Sequence, residues 1–217
     1  MTAENLIDLK IFDKNKIHVL RDPVINCNEI TEKKKIELDE EYLNKDYYLS
    51  IGRLTDQKNF NFLIKVFSEN YKKFRIKKLV IVGDGENQTD LKEMIKNYKM
   101  ENNIFLIGFR KNVYKYLQNC VALISVANYE DPGFTLIEAA YLKKKIITSL
   151  VKNGPIEMKK NGDMCYFFEP GNEADFINKI LASEKDINYN LKITNAQRFS
   201  KKFTTFSHYK SFEKLLN

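Results

Sequence analysis

Between residues 47 and 133, short apolar runs end again and again in glycine. YYLSI runs into Gly52, KLVIV into Gly83, IFLI into Gly108 and VALISVANYEDP into Gly133. Behind each glycine the apolar spacing becomes helical, in NFLIKVFSENYKKF, TDLKEMIKNYKM, VYKYLQNC and FTLIEAAYLKK. Strand, glycine turn, helix and strand in repetition predict a parallel sheet with crossover helices, an α/β fold. Runs that are apolar throughout, rather than alternating, suit strands covered on both faces. KKIITSLV and DMCYFFEP predict two more strands, EADFINKILAS a helix behind the Pro170-Gly171 turn, and KIHVL, closed by Asp22-Pro23, a strand near the start. In an open parallel sheet a ligand sits at the carboxyl ends of the strands, and all four glycine turns fall there.

The last thirty residues predict one or two amphipathic helices with Phe199, Phe203, Phe206, Tyr209 and Phe212 as an apolar stripe, expected to pack in the core. No internal repeat interrupts this order. The simplest organisation is one Rossmann-like domain, a parallel sheet flanked by helices, with a C-terminal helical tail.

Composition narrows the function. The 217 residues are 43% hydrophobic and 30% charged, an ordinary globular balance, with a net charge of +7. Only five basic residues are arginine (Arg21, Arg53, Arg75, Arg110, Arg198), and the lysines are scattered among glutamates and asparagines. That pattern argues against a nucleic-acid groove and leaves a weak attraction to anionic surfaces. Cys27, Cys120 and Cys165 are far apart and odd in number, which indicates neither a disulfide framework nor a zinc site and fits a reducing cytosol. No apolar run approaches the ~18 residues that span a bilayer, and MTAENLIDLK has no signal-peptide pattern, so a soluble cytoplasmic protein is expected.

Common nucleotide motifs fit poorly. GDGENQ has Gln88 where the third glycine of a dinucleotide fingerprint would stand, and no G-x-x-x-x-G-K-[ST] occurs. The two histidines, His18 and His208, lie outside the glycine turns, which disfavours a Ser-His-Asp or metal-histidine site. SIGRLTDQKNF is more suggestive. It puts Arg53 and Lys58 behind a strand and at the mouth of a helix, where cations beside free helix N–H groups make an anion site suited to a diphosphate. On local grounds two exposed loop charges suit this stretch equally well. Gly133 offers a second helix start on the same edge, with backbone donors. Around it NYEDPGFTLIEA frames a turn with Glu130 and Glu138. As an isolated pair these are an ordinary solvated loop and helix. Beside Arg53 and Lys58 they match a ligand anionic in the middle and polyhydroxylated at both ends, such as a nucleoside diphosphate sugar.

GRLTDQKN resembles the G-R-L-x-x-x-K element, and EDPGFTLIE the E-x7-E element, of retaining GT-B glycosyltransferases of the large family 4; VIVGDGE and IFLIGF are similar to the two strand ends between them. The resemblance covers roughly residues 15 to 185. It implies that the chain is one half of a GT-B fold, the C-terminal half that holds a UDP-, GDP- or similar nucleotide sugar. Residues 1–25 would then be the interdomain linker and first strand, 26–185 the Rossmann-like domain, and 186–217 a tail crossing to an N-terminal acceptor domain that is missing here.

By the same resemblance Arg53 and Lys58 grip the diphosphate as catalytic cations, Glu130 faces the transferred sugar, and Glu138 accepts from the ribose. Asp131 to Thr135, with Gly133 and Phe134, present amides to sugar and phosphate; Gly108, Phe109 and Arg110 line the nucleobase; Gly52, and Gly83 to Glu86, belong to the crevice. No metal and no further cofactor is implied. The acceptor would be a glycan or a lipid-linked molecule of bacterial surface polysaccharide synthesis, with possible peripheral contact to the inner membrane. Asp131-Pro132 departs from the usual pair after the first glutamate. Two other functions remain open: a non-catalytic nucleotide-sugar-binding chain paired with a separate acceptor-domain polypeptide, and another GT-B activity such as an epimerase or phosphorylase.

Overall fold

The fold is taken from a computed structural model, which describes residues 7, 13–38 and 46–216. Six strands, β1 (Tyr48–Ile51), β2 (Leu79–Val82), β3 (Ile104–Leu106), β4 (Ala122–Ser125), β5 (Lys145–Ser149) and β6 (Tyr166–Phe168), form one sheet in the order β3-β2-β1-β4-β5-β6. Every pairing is parallel. The helices are α1 (Cys27–Lys33), α2 (Phe60–Asn70), α3 (Gln88–Asn97), α4 (Tyr114–Asn119), α5 (Phe134–Tyr141), α6 (Gly154–Lys160), α7 (Glu173–Lys185), α8 (Tyr189–Ser200) and α9 (Thr205–Leu216).

Successive strand side chains point to opposite faces, and here both faces are core. Leu49, Val80, Val82, Leu123 and Ile146 join one apolar cluster, with Ile30 of α1, Leu117 of α4, Leu136 and Ile137 of α5 and Ala196 of α8. Their neighbours Tyr48, Leu79, Ile81, Ile124 and Ile147 join the other, with Leu63 and Phe67 of α2, Leu91 of α3 and Phe176 and Ile180 of α7. This is why the strands read as unbroken apolar runs. The strands expected from Tyr48 onward and their crossover helices are present.

Three expectations change. KIHVL is not a strand: a short 3-10 turn covers Lys14–Lys16, residues 17 to 24 are irregular, and Val19 is exposed. The segment instead docks through Ile25, which bridges to Thr204, and through the Arg21 carbonyl beside His208 Nδ1 at 2.6 Å. Two helices lack any counterpart in the periodicity reading. α1 starts at Asn26, whose side chain accepts from the Glu29 amide at 3.2 Å, and α6 starts on Gly154-Pro155. The tail aromatics also divide: Phe199 and Phe203 are buried, whereas Phe206, Tyr209 and Phe212 of α9 are exposed and α9 buries no residue.

Chain order reverses between β1 and β4, the adjacent central strands. The loops leaving their carboxyl ends diverge to opposite halves of the sheet and leave a crevice there. GRLTDQK leaves β1 and NYEDPG follows β4, so the fold brings both candidate motifs to this one point.

Candidate functional site

The loop after β1 is held from both sides. From the β2 side, the Leu54 amide donates to the Asp84 carbonyl at 2.9 Å, the Asn87 amide to the Leu54 carbonyl at 3.0 Å, and Asn87 Nδ2 to Asp56 Oδ1 at 2.8 Å. From the β4 side, the Asn128 amide donates to the Gln57 carbonyl at 2.8 Å, Asn128 Nδ2 to the Asp56 carbonyl at 3.1 Å, and Gln57 Nε2 to the Tyr129 carbonyl at 3.1 Å. Gly83 lets the β2 loop close in, because a Cβ there would lie 1.8 Å from the Gly52 carbonyl oxygen. The crevice walls are thus held by the chain's own bonds, which spares a ligand the cost of ordering them.

Within this frame Lys58 Nζ donates to Glu130 Oε1 at 2.7 Å, with side chains only 18% and 6% exposed. Ser125 Oγ, at the end of β4, donates to the same oxygen at 3.3 Å. The Lys58 stem lies over Gly52, where an added Cβ would meet its Cγ, Cδ and Cε at 3.2, 3.3 and 3.4 Å. Gly52→Ala is therefore expected to push the stem aside and lower stability by about 1 kcal/mol in urea unfolding, the low end of overpacking effects.

Gly133, at φ 84, precedes α5, and no side chain caps that helix. The Leu136 and Ile137 amides turn back to the Gly133 carbonyl, leaving the Phe134 and Thr135 amides without a partner among the described residues at the positive end of the helix dipole. A Cβ on Gly133 would sit 3.7 Å from Glu130 Oε2, so this helix start adjoins the ion pair. The Asp131-Pro132 peptide in the turn is cis.

Arg53 is exposed at the lip of the same loop and makes no side-chain bond within the described residues. Further along the edge Gly108 accepts from the Gly83 amide at 3.0 Å, Phe109 is exposed, and Arg110 bonds the Tyr116 hydroxyl at 3.1 Å and the Phe109 carbonyl at 3.2 Å.

Glu138 lies in the second turn of α5, partly buried, and accepts from the Tyr114 hydroxyl at 3.0 Å. Burial pushes its carboxyl up to about 7; the Tyr114 bond opposes this and the charge of Glu29 adds to it. The structure therefore joins Lys58 with Glu130, sets Arg53 and Gly133 on the same edge, and gives Glu138 a different internal partner. Ser125, Asn128 and Tyr114 escape the motif reading. Asn128 and Ser125 sit within and just before the quoted NYEDPG stretch, while nothing local marks Tyr114.

Cysteine chemistry finds no support, since burial pushes the Cys120 thiol up to about 12 and raises that of Cys165 as well, keeping both protonated near neutrality. Among the described residues no cluster of three or more His, Cys, Asp or Glu is arranged to hold a metal ion, and no helix is long and apolar enough to cross a membrane.

Residues 31–199, which include the whole crevice, match the family described as Glycosyl transferases group 1. The chain belongs to this family. It is 34% identical over 149 residues to an uncharacterised glycosyltransferase of Methanocaldococcus jannaschii, a match that spans 67% of this chain and 36% of that protein. To the poly(ribitol-phosphate) alpha-N-acetylglucosaminyltransferase of Staphylococcus aureus it is 33% identical over 134 residues, 60% of this chain and 27% of that one. The group 1 chain thus spans well under half the length of these relatives. Its fold matches that of Anabaena Alr3699/HepE, solved with UDP, at a TM-score of 0.78 and 18% identity, over 99% of this chain and 60% of that one. The six-stranded Rossmann-like unit is the one found in GT-B glycosyltransferases.

Proposed function

We propose that this chain is the donor-binding half of a retaining GT-B glycosyltransferase of family 4. It transfers a sugar from a nucleoside diphosphate sugar to a glycan or lipid-linked acceptor in bacterial surface polysaccharide synthesis. The observation that carries the reading is the buried Lys58–Glu130 pair at the reversal of strand order, adjoining the uncapped start of α5. Relatives support the class of substrate: HepE was solved with UDP, and the S. aureus relative is named for a sugar transfer to a phosphate polymer.

In this reading Arg53 and Lys58 hold the diphosphate. As the bond between the sugar C1 and the β-phosphate oxygen breaks, its electron pair goes to that oxygen. The two cations and the Phe134 and Thr135 amides meet the charge as it grows. The acceptor hydroxyl oxygen bonds to C1 on the same face and passes its proton to the departing phosphate, so the anomeric configuration is retained. Glu130 steadies Lys58 through Oε1 and turns its second oxygen to the transferred sugar. Glu138 accepts from the ribose, and Phe109 and Arg110 line the base. Fixed cations and the helix dipole supply the positive charge, so the chemistry needs no divalent metal.

The acceptor side of the cleft comes from a further domain, in cis or in trans. Two observations support this: the apolar face of α9 has no cover within the described residues, and the chain spans 60% of the HepE chain. Without that domain the 217 residues are expected to bind nucleotide but turn over weakly or not at all. A cytoplasmic location, peripheral to the inner membrane where the acceptor is lipid-linked, suits the excess of lysine.

Titration calorimetry with UDP and GDP tests the reading. One of the two is expected to bind, and Arg53→Ala to weaken it by about tenfold, as for one lost charge-assisted hydrogen bond. Urea unfolding should stay unchanged in that variant, because Arg53 is exposed and unbonded. Absence of binding by either nucleotide at millimolar concentration would sink the proposal.

A further inference from the structure

Glu138 is held by a partner that is itself held. Tyr114, the first residue of α4, donates its hydroxyl to Glu138 Oε1 at 3.0 Å. Its own amide donates to Asn112 Oδ1 at 3.1 Å, and Asn112 Nδ2 donates to the Lys33 carbonyl at 2.9 Å. A line of bonds therefore runs from the end of α1 through Asn112 to the Tyr114 backbone, which it fixes at the start of α4, and the Tyr114 phenol reaches from there to the carboxylate on α5. A glutamate without such a bond keeps several rotamers and, when partly buried, tends toward its neutral form.

We propose that Tyr114 is a positioning residue for nucleoside recognition: its hydroxyl fixes Glu138 through Oε1 and keeps Oε2 as an acceptor for the vicinal hydroxyls of a ribose. The proposal rests on the reading of Glu138 as the ribose acceptor. Tyr114 acts through Glu138.

The surroundings give it a distinctive signature. Tyr114 faces Glu138 from α4, and its donated bond favours the ionised form. From α1 comes Glu29, ion-paired with Lys33, whose charge favours the neutral form. On α5 itself the next titratable side chain, a turn on, is Tyr141, which is bonded to Cys27. The charges of α8, packed along α5, are Lys192, paired with Asp163, and the exposed Arg198. Lys145 of β5, beneath α5, donates to the Ser183 carbonyl at 2.6 Å. Burial raises the Glu138 carboxyl most, and Tyr114 and Glu29 are the two described side chains that adjust it, downward and upward in turn.

The test compares UDP and GDP with their 2′,3′-dideoxy forms between pH 6 and 9 by calorimetry, in the wild-type chain, Tyr114→Phe and Glu29→Gln. In the wild type the preference for the ribose form should fade as pH falls through about 7, where Glu138 takes up a proton. Tyr114→Phe should reduce that preference about three- to tenfold at pH 7, restore much of it at pH 9, and leave dideoxy affinity unchanged. Glu29→Gln should move the pH midpoint the opposite way. If the wild type discriminates but Tyr114→Phe discriminates equally well, or weakens both nucleotide forms alike at every pH, the proposal for Tyr114 is overturned and the ribose reading survives. If the wild type binds both forms equally, or binds neither nucleotide, both fall together.

Discussion

Lys58→Ala is expected to lower stability by about 3–5 kcal/mol and to remove measurable nucleoside diphosphate binding. The stability loss follows from burial. The Glu130 side chain is 6% exposed and Lys58 is its ionic partner at 2.7 Å, so truncating the lysine strands a carboxylate with, among the described side chains, only the Ser125 hydroxyl at 3.3 Å to answer it. Breaking one side of a buried pair has that magnitude, because the remaining charge has lost both water and counter-charge. The binding loss is a separate effect that follows from the proposed function, in which the same ammonium is the inner cation for a diphosphate. A second variant separates them. Lys58→Met with Glu130→Gln removes both charges at similar volume and should recover most of the stability in urea unfolding, yet it should not recover UDP or GDP binding. Wild-type affinity in that double variant would show that Lys58 does not grip the diphosphate.

Glu130→Gln extends the same logic in the opposite direction. With the carboxylate gone, Lys58 keeps its place over Gly52 but loses its internal anion, so an incoming diphosphate no longer competes for it. Under the proposed function the pair gives an acidic residue a part in an anion site: Glu130 balances the charge of Lys58 and orients it for the ligand.

The sheet is legible in the sequence because each strand is covered twice, which leaves no polar alternation to confuse with helix or loop. The site is legible as an edge, since GRLTDQK and EDPGFTLIE each follow a strand. Its wiring is not. Lys58 and Glu130 are 72 residues apart, and only the strand order places β1 beside β4 so that the two side chains meet. KIHVL misleads because local apolarity marks a strand only if a neighbour is free to pair. Here the true contact is Ile25 with Thr204, at the other end of the chain. α1 and α6 are seven residues each, too short for a helical period to rise above the background, although Asn26 with Glu29 and Gly154-Pro155 are legible start signals. In the tail one apolar stripe spans two fates. Phe199 and Phe203 pack inward, while Phe206, Tyr209 and Phe212 face out, and periodicity reports only that a face is apolar, not what covers it.

Glu138→Gln is expected to stabilise the chain at pH 8 by about 3 kcal/mol while weakening nucleotide binding by tenfold or more. Burial raises the Glu138 carboxyl from 4.5 to about 7 in the folded state. Below pH 4.5 the side chain is neutral whether folded or not, and the wild type carries no penalty. As pH rises from 4.5 toward 7 the unfolded chain releases this proton while the folded chain retains it, so stability falls; above 7 both are ionised and the loss levels off. The rise from 4.5 to about 7 corresponds to roughly 3 kcal/mol. Glutamine has no charge to bury and escapes that loss, so the gap between variant and wild type should be near zero at pH 4.5 and widen to a plateau above 7. A gap that does not change with pH would mean that Glu138 carries no raised pKa. Under the proposed function the same substitution puts an amide where the ribose would meet a carboxylate, a weaker, neutral acceptor. The ionised form of Glu138 works against folding, yet Tyr114 holds it in a way that favours that form, which fits the proposed role in binding better than a role in stability.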